Sequence, residues 1–241
     1  LASVDSTNRY AAEALTRGEL SHGAVIMAQE QTAGRGQRGR TWQGATGLDL
    51  MASIVLLPER MRAVAQFTLA KAAALAVRDL VADVFRSEDL DVARIRIKWP
   101  NDILVDRHKL AGILIANEIK GEHVRSSIVG IGINVNSSTW EGVDATSLLL
   151  ETRRGQDLHL LLSRLCMHMD HWWGLTGKDD AAIAAAYTDA LWAKDRYTDF
   201  TLDGRRITAR PLDVDDMGRL IIEEVGGEVA AYGLERLRFL M

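Results

Sequence analysis

Four runs rich in Ile, Val and Leu follow one another between Arg94 and Val135 with only turn residues between them. They are Arg94 to Lys98, Ile103 to Val105, Leu110 to Ile119 and Val124 to Val135. Asp106 to His108 and Gly121-Glu122 supply two of the turns. Parallel neighbours need a crossover of about a dozen residues, usually a helix. No helical pattern lies between these runs, so the spacing predicts an antiparallel meander and excludes a doubly wound Rossmann sheet. Arg94 to Lys98 alternates charged and apolar residues, as a half-buried strand does.

The flanking chain fits around such a sheet. Ser6-Thr7-Asn8 precedes a helical stretch, Tyr10 to Leu15, ended by Gly18. A hydroxyl residue ahead of a helix is the usual N-cap signal. Gly23 to Gln29 and Leu48 to Leu56 read as strands, the second closed by Pro58. Ala63 to Phe85 has apolar residues at helical spacing, and its alanines predict close packing on a sheet. Leu158 to Trp173 and Ala181 to Trp192 read as two more helices. Beyond Ala193, short strand-like runs alternate with turns at Asp203-Gly204, Asp215 to Gly218 and Gly226-Gly227. That rhythm predicts a small β barrel. The expected division is 1–192 and 193–241, and the expected class is α+β with a mixed, mainly antiparallel sheet.

Composition removes several function classes. With 241 residues and 47% hydrophobic content there is material for a large core. The formal net charge of -4 argues against a general nucleic-acid binder. Cys166 is the single cysteine, so no intrachain disulfide forms, which fits a reducing cytoplasm. No apolar run of about 18 residues predicts a transmembrane helix, and Leu1 to Asp5 lacks the pattern of a signal peptide.

Chemistry concentrates in four segments. Gly34-Arg35-Gly36-Gln37-Arg38-Gly39-Arg40 sets three arginines on a glycine-rich backbone. Arginine forks match phosphate oxygens, and glycine lets a ligand approach the chain closely. The stretch has neither the Gly-Lys-Ser/Thr ending of a P-loop nor the βαβ context of a dinucleotide fingerprint. Lys98-Trp99-Pro100-Asn101-Asp102 places a lysine, an amide and a carboxylate at one turn, and proline drives Trp99 out of the helical region. Lys109 precedes Leu110-Ala111-Gly112-Ile113-Leu114, and Gly130-Ile131-Gly132-Ile133-Asn134 is a glycine-spaced aliphatic run ending in an amide. Each has an ordinary reading as a solvated loop, a hairpin turn or a strand start. Together they point to a site handling a nucleotide and an activated acyl group.

In order, Ser6-Thr7-Asn8, Gln31 with Gly34 to Arg40, Lys98 to Asp102, Lys109 to Leu114, Gly130 to Asn134 and Ala145 to Leu148 resemble the catalytic domain of biotin–protein ligases. The strands from Tyr197 onward resemble, more weakly, the SH3-like barrel that ends those enzymes. The resemblance implies a body like the class II aminoacyl-tRNA synthetase cores. It implies ATP, biotin and Mg2+, with biotinyl-5'-AMP formed first. The biotin then passes to a lysine of a biotin carboxyl carrier domain. By resemblance Lys109, Arg40 and Arg35 are catalytic. Ser6, Thr7, Asn8, Gln31, Gly34, Arg35, Lys109, Gly112, Gly130 and Gly132 bind biotin. Arg35, Gln37, Arg38, Arg40, Lys98, Trp99, Asn101, Asp102 and Asn134 bind the nucleotide, with Asp102 the candidate ligand for Mg2+.

The family loop commonly reads Gly-Arg-Gly-Arg, whereas Gln37 stands at its fourth position here, so one cation is missing. Trp140 has two readings, stacking on adenine or packing at the surface. Cys166, His168 and His171 read as helix packing rather than as metal ligands. Some family members also carry a helix-turn-helix and repress transcription. With the chain starting so near Ser6, no specific DNA binding is expected, and a homodimer is left open. The rival readings are a lipoate–protein ligase and a non-catalytic biotin sensor.

Overall fold

The structure, a computed structural model, describes residues 1–240. In chain order its elements are β1 (Ser3–Val4), α1 (Thr7–Thr16), β2 (Val25–Ala28), β3 (Glu30–Gln31), β4 (Leu50–Leu56) and α2 (Gln66–Ser87). There follow β5 (Ile95–Lys98), β6 (Asp102–Val105), β7 (His108–Lys120), β8 (His123–Ile133), α3 (Leu148–Thr152), α4 (Leu158–Leu175) and α5 (Asp180–Asp189). The chain closes with β9 (Thr198–Leu202), β10 (Arg205–Val214), β11 (Leu220–Glu224), β12 (Val229–Tyr232) and β13 (Leu237–Phe239).

The predicted meander is present. Strands β5 to β8 pair in sequence order, and the main sheet runs β2-β4-β8-β7-β6-β5 with every pair antiparallel. Gly121 takes the positive φ, 61°, that the β7–β8 turn demands. The Trp99–Pro100 bond, in the β5–β6 turn, is cis. Among the described residues, parallel pairing consists of the short β1–β3 ladder and the isolated Ile97–Leu191 and Lys109–Ala145 bridges.

The two sheet faces have different covers. Helix α2, alanine-rich as its close packing requires, lies on β5, β6 and β7 and packs against α4 and α5. Its residues Leu69, Ala72, Ala76, Leu80 and Phe85 are buried with Leu50, Ile54, Ile97, Ile113 and Ile131 of the sheet. Helix α1 packs on the opposite face, where Ala11 meets Ile26, Val55 and Ile128. Part of that second face is left for the site.

The last segment forms a five-stranded antiparallel sheet, β12-β11-β10-β9-β13, with a bulge in β10 between Pro211 and Asp213. Its buried residues Phe200, Ala209, Leu220 and Ile222 join the main core without a break. Side chains of the main body tie it down: Trp99 Nε1 donates to the Gly218 carbonyl (2.9 Å), Lys71 Nζ to the Val214 carbonyl (2.8 Å) and Thr188 Oγ1 to the Asp213 carboxylate. Among the described residues no helix is long and apolar enough to cross a membrane.

Helix boundaries shifted where local signals were weak. The stretch from Ala63 starts as a single 3-10 turn and becomes α-helical at Gln66, and α5 ends at Asp189 rather than Trp192. Trp192 instead packs with Leu104 and Ala193. Ser6 stands at the N-cap of α1, but its side chain makes no capping bond.

Candidate active site

Cross-strand register builds the floor. Met51 pairs with Gly132, Gly132 with Gly112, Gly112 with Asp102 and Asp102 with Lys98. These five residues form one row across β4, β8, β7, β6 and β5, on the face away from α2. A second row holds Ser53, Gly130 and Leu114. The paired glycines leave a trough, which the indole of Trp42 fills. A Cβ on Gly132 would lie inside that ring, and one on Gly112 would crowd it. A Cβ on Gly130 would overlap the Asn8 amide. These glycines are needed for close approach, not for positive φ.

A bulge delivers Lys109. Ile103 pairs with Ala111, but Leu104 pairs with Lys109, so Leu110 is an extra residue in β7. Ala111 and Ile113 point into the α2 core. Strict alternation would send Lys109 there too. The bulge turns it onto the site face instead, a recurrent use of bulges beside sites. Its ammonium lies 2.6 Å from the Asp102 carboxylate and 5.6 Å from the Trp42 ring centroid. Lys98 stands beside this pair. Burial pushes its ammonium below the ordinary lysine value, Lys109 and Arg40 push the same way, and Asp102 opposes them. The site is thus electropositive and poised for anions.

At the other end the groups are neutral. Gln31 Oε1 accepts from Thr7 N at 2.8 Å and from Thr7 Oγ1 at 3.1 Å. Asn8 Nδ2 donates to the Leu114 carbonyl at 2.9 Å. Ser53 Oγ lies 2.6 Å from Asn8 Oδ1 and 2.8 Å from Thr7 Oγ1. Gly34 is buried beside Gln31 and Trp42. Arg35, Arg38 and Arg40 are exposed on the loop above, with Arg38 at φ 55° and Gln37 half-buried. None of the three arginines forms an ion pair with a described residue.

Four expected nucleotide or ring contacts use their polar groups within the protein. The Asn101 amide donates to the Ile113 carbonyl at 2.6 Å. The Asn134 amide donates to the carbonyls of Lys109 (3.3 Å) and Thr146 (3.0 Å). Trp99 is 3% exposed, with its indole N–H on Gly218. Asn8 is used at both ends of its amide. These residues hold the walls in place.

Sequence reading passed over Trp42, Ser53 and Asp49. The Trp42 indole N–H is buried without a hydrogen-bond partner among the described residues. Asp49, fully buried, accepts from Ala45 N (3.0 Å), Val135 N (2.8 Å) and Ser137 Oγ (2.5 Å), joining the loop before β4 to the loop after β8. Trp42 alone carried a local signal, since it directly follows the arginine loop. Trp140 lies half-buried in an irregular segment. His168 bonds Asp83 at 2.8 Å and Trp172 bonds Asp79 at 2.8 Å, so that side of α4 is a seam with α2.

A cationic end, a neutral hydrogen-bonding end and an aromatic wall between them suit an elongated ligand with a polar head and an acidic tail. The sequence model of the Biotin/lipoate A/B protein ligase family matches residues 1–134, and the chain belongs to that family. The bifunctional ligase/repressor BirA of Bacillus spizizenii is 31% identical over 245 residues, covering 96% of this chain and 71% of that protein. The biotin–[acetyl-CoA-carboxylase] ligase of Mycobacterium tuberculosis is 32% identical over 229 residues, covering 94% of this chain and 83% of that protein. Among solved structures, the biotin protein ligase from Aquifex aeolicus in complex with biotin and ATP superposes with a TM-score of 0.78 at 25% identity, covering 100% of this chain and 97% of that one.

Proposed function

We propose that this chain is a biotin–protein ligase: it activates biotin with ATP and transfers the biotinyl group to a lysine of a biotin carboxyl carrier domain. The observation that carries the reading is the bulge-delivered Lys109 against Asp102, with Lys98 and Arg40 close by and the neutral Thr7–Gln31 pair at the far end.

In the first step a biotin carboxylate oxygen attacks the α-phosphorus of ATP, and the bond to pyrophosphate breaks. Two anions must meet, so preorganised cations carry the catalysis. Lys109 holds the carboxylate, exchanging its contact with Asp102 for one with the substrate. Lys98 and the loop arginines Arg35, Arg38 and Arg40 face the phosphates. In the second step the neutral amine of the acceptor lysine attacks the acyl carbon, AMP departs with the electron pair of the anhydride bond, and the amine gives up a proton. No protein nucleophile is needed. Mg2+ usually takes one or two carboxylates beside substrate phosphates. Asp102, 19% exposed in the floor row, fits that demand and would hold an ion that neutralises phosphate charge.

The same reading takes 1–192 as the catalytic unit, like a class II aminoacyl-tRNA synthetase core, and 193–241 as an SH3-like barrel. The β10 bulge supports the latter, because a bulge bends its strand and so favours a curved sheet. The lone Cys166 supports work in a reducing cytoplasm, and a net charge of -4 supports a role without specific DNA binding. The decisive experiment is ATP–pyrophosphate exchange. Biotin should drive it. Exchange driven by lipoate and not biotin would move the protein to the rival activity, and biotin binding without exchange would make it a sensor.

A further inference from the structure

A cleft of about 660 Å³ is lined by β5, the turn after β6 and the chain that runs from α5 into β9. Five cations border it, Arg94, Arg96, Arg107, Lys194 and Arg196, against two carboxylates, although the chain as a whole carries a net charge of -4. Both carboxylates are already engaged. Asp106 pairs with Arg94 at 2.8 Å, and Asp189 pairs with Lys194 at 2.8 Å. Arg96 donates to the Asp189 carbonyl at 3.2 Å. Arg107 and Arg196 are exposed and form no ion pair with a described residue. Leu191, Trp192 and Ala193 are buried and supply an apolar base, and Tyr197 stands 50% exposed beside it. Arginine and aromatic side chains around an apolar centre are what protein interfaces are enriched in.

Cross-strand register fixes where the cleft lies. Arg96 pairs with Leu104, and Leu104 pairs with Lys109. Arg96 is two residues from Lys98 on the same strand, so both point to the face that holds the site. Two strand spacings, about 10 Å, therefore separate the backbones of Arg96 and Lys109. We propose that this cleft seats the protein that accepts the biotinyl group, held through carboxylates on that protein's surface near its acceptor lysine. The inference rests on the ligase reading and adds where the partner sits and what holds it. A cleft lined by cations focuses their field and speeds encounter with an acidic surface. A nucleic acid would meet the negative charge of the rest of the chain. A small anion would leave Tyr197 and the apolar base unused.

The test measures transfer of biotin to the purified carrier domain of an acetyl-CoA carboxylase. The wild type is compared with a double variant, Arg107→Glu with Arg196→Glu. Arg60→Glu, at an exposed arginine on the loop between β4 and α2, controls for net charge. Melting curves establish folding, and the double glutamine variant stands in should the glutamates prevent it. At low salt the double variant should raise the Michaelis constant for the carrier about tenfold or more, with turnover at saturating carrier little changed. Its carrier-free ATP–pyrophosphate exchange should match the wild type. Added salt should raise the wild-type Michaelis constant and narrow the difference, because screening removes what the charges supply. An unchanged Michaelis constant in the double variant, or an equal rise in Arg60→Glu, overturns the inference and leaves the ligase reading standing. Duplex DNA that binds through Arg107 and Arg196, with transfer unaffected by their loss, would assign the cleft to nucleic acid and overturn it too. A wild type without biotin-dependent exchange overturns the ligase reading, and the inference with it.

Discussion

At the scale of single residues, charge placement governs this site. Lys109 is held by Asp102, with the two side chains 30% and 19% exposed, so the pair contributes about 1 kcal/mol or less to stability. An electrostatic contact made to a transition state is worth roughly 3 kcal/mol. Lys109→Ala should therefore lower adenylation by about a hundredfold or more, while the melting temperature moves little. Exchange kinetics on the folded variant check this, and near-normal exchange would take Lys109 out of the mechanism. Gln37 makes the opposite case. It sits half-buried on the loop whose three arginines have no carboxylate partner among the described residues. Adding a cation there should slow escape of an anionic adenylate, with about 1 kcal/mol expected for one charge-assisted bond. Gln37→Arg should thus release preformed biotinyl-AMP more slowly in stopped flow. Unchanged or faster release would place Gln37 away from the phosphate.

At the scale of elements, the floor depends on register. The glycines of β7 and β8 face each other because Gly112 pairs with Gly132, and only their shared row makes room for Trp42. Gly132→Ala puts a methyl group into the ring. The indole must move, at a cost of about 1–3 kcal/mol if the core resists. The expected outcome is a rise of at least about tenfold in the Michaelis constant for biotin, one such increment of free energy. Ser126→Ala, at the far end of the same strand, serves as a control that leaves the constant alone. Equal effects from both would mean that β8 is sensitive along its whole length, and the trough would not be special.

At the scale of the whole molecule, a buried lysine ties helix α2 to the five-stranded sheet. Lys71, on α2 and 3% exposed, donates to the Val214 carbonyl of β10. Burial holds its ammonium below the ordinary lysine value, against the pull of Asp213, Asp216, Asp215 and Asp180. Between the lowered folded value and the ordinary one, the unfolded chain carries a proton that the folded chain has shed. Stability therefore rises with pH across that window and the gain is complete above the ordinary value of about 10.4. Lys71→Met should lack that increment. Urea unfolding of both proteins from neutral pH upward measures it, and parallel curves would mean that Lys71 binds its proton equally well in the folded and unfolded chain.

The antiparallel meander, the turn at Trp99-Pro100 and the ordered motifs were legible because short-range sterics and alternation encode them. So was the family. The direction of Lys109 was not legible, since alternation alone assigns it to the core and only the extra residue at Leu110 reverses that. Ser53 and Asp49 looked like ordinary strand residues because their partners lie far along the chain: Asn8 is 45 residues from Ser53, and Val135 is 86 from Asp49. Asn101, Asn134 and Trp99 are assigned to the nucleotide by resemblance, and only the tertiary structure shows that their side-chain N–H groups donate to backbone carbonyls. Sequence by itself determined which elements form and which chemical groups are present. The tertiary structure decided which of those groups share a face, because cross-strand register and bulges are set by pairing between distant segments and not by neighbours along the chain.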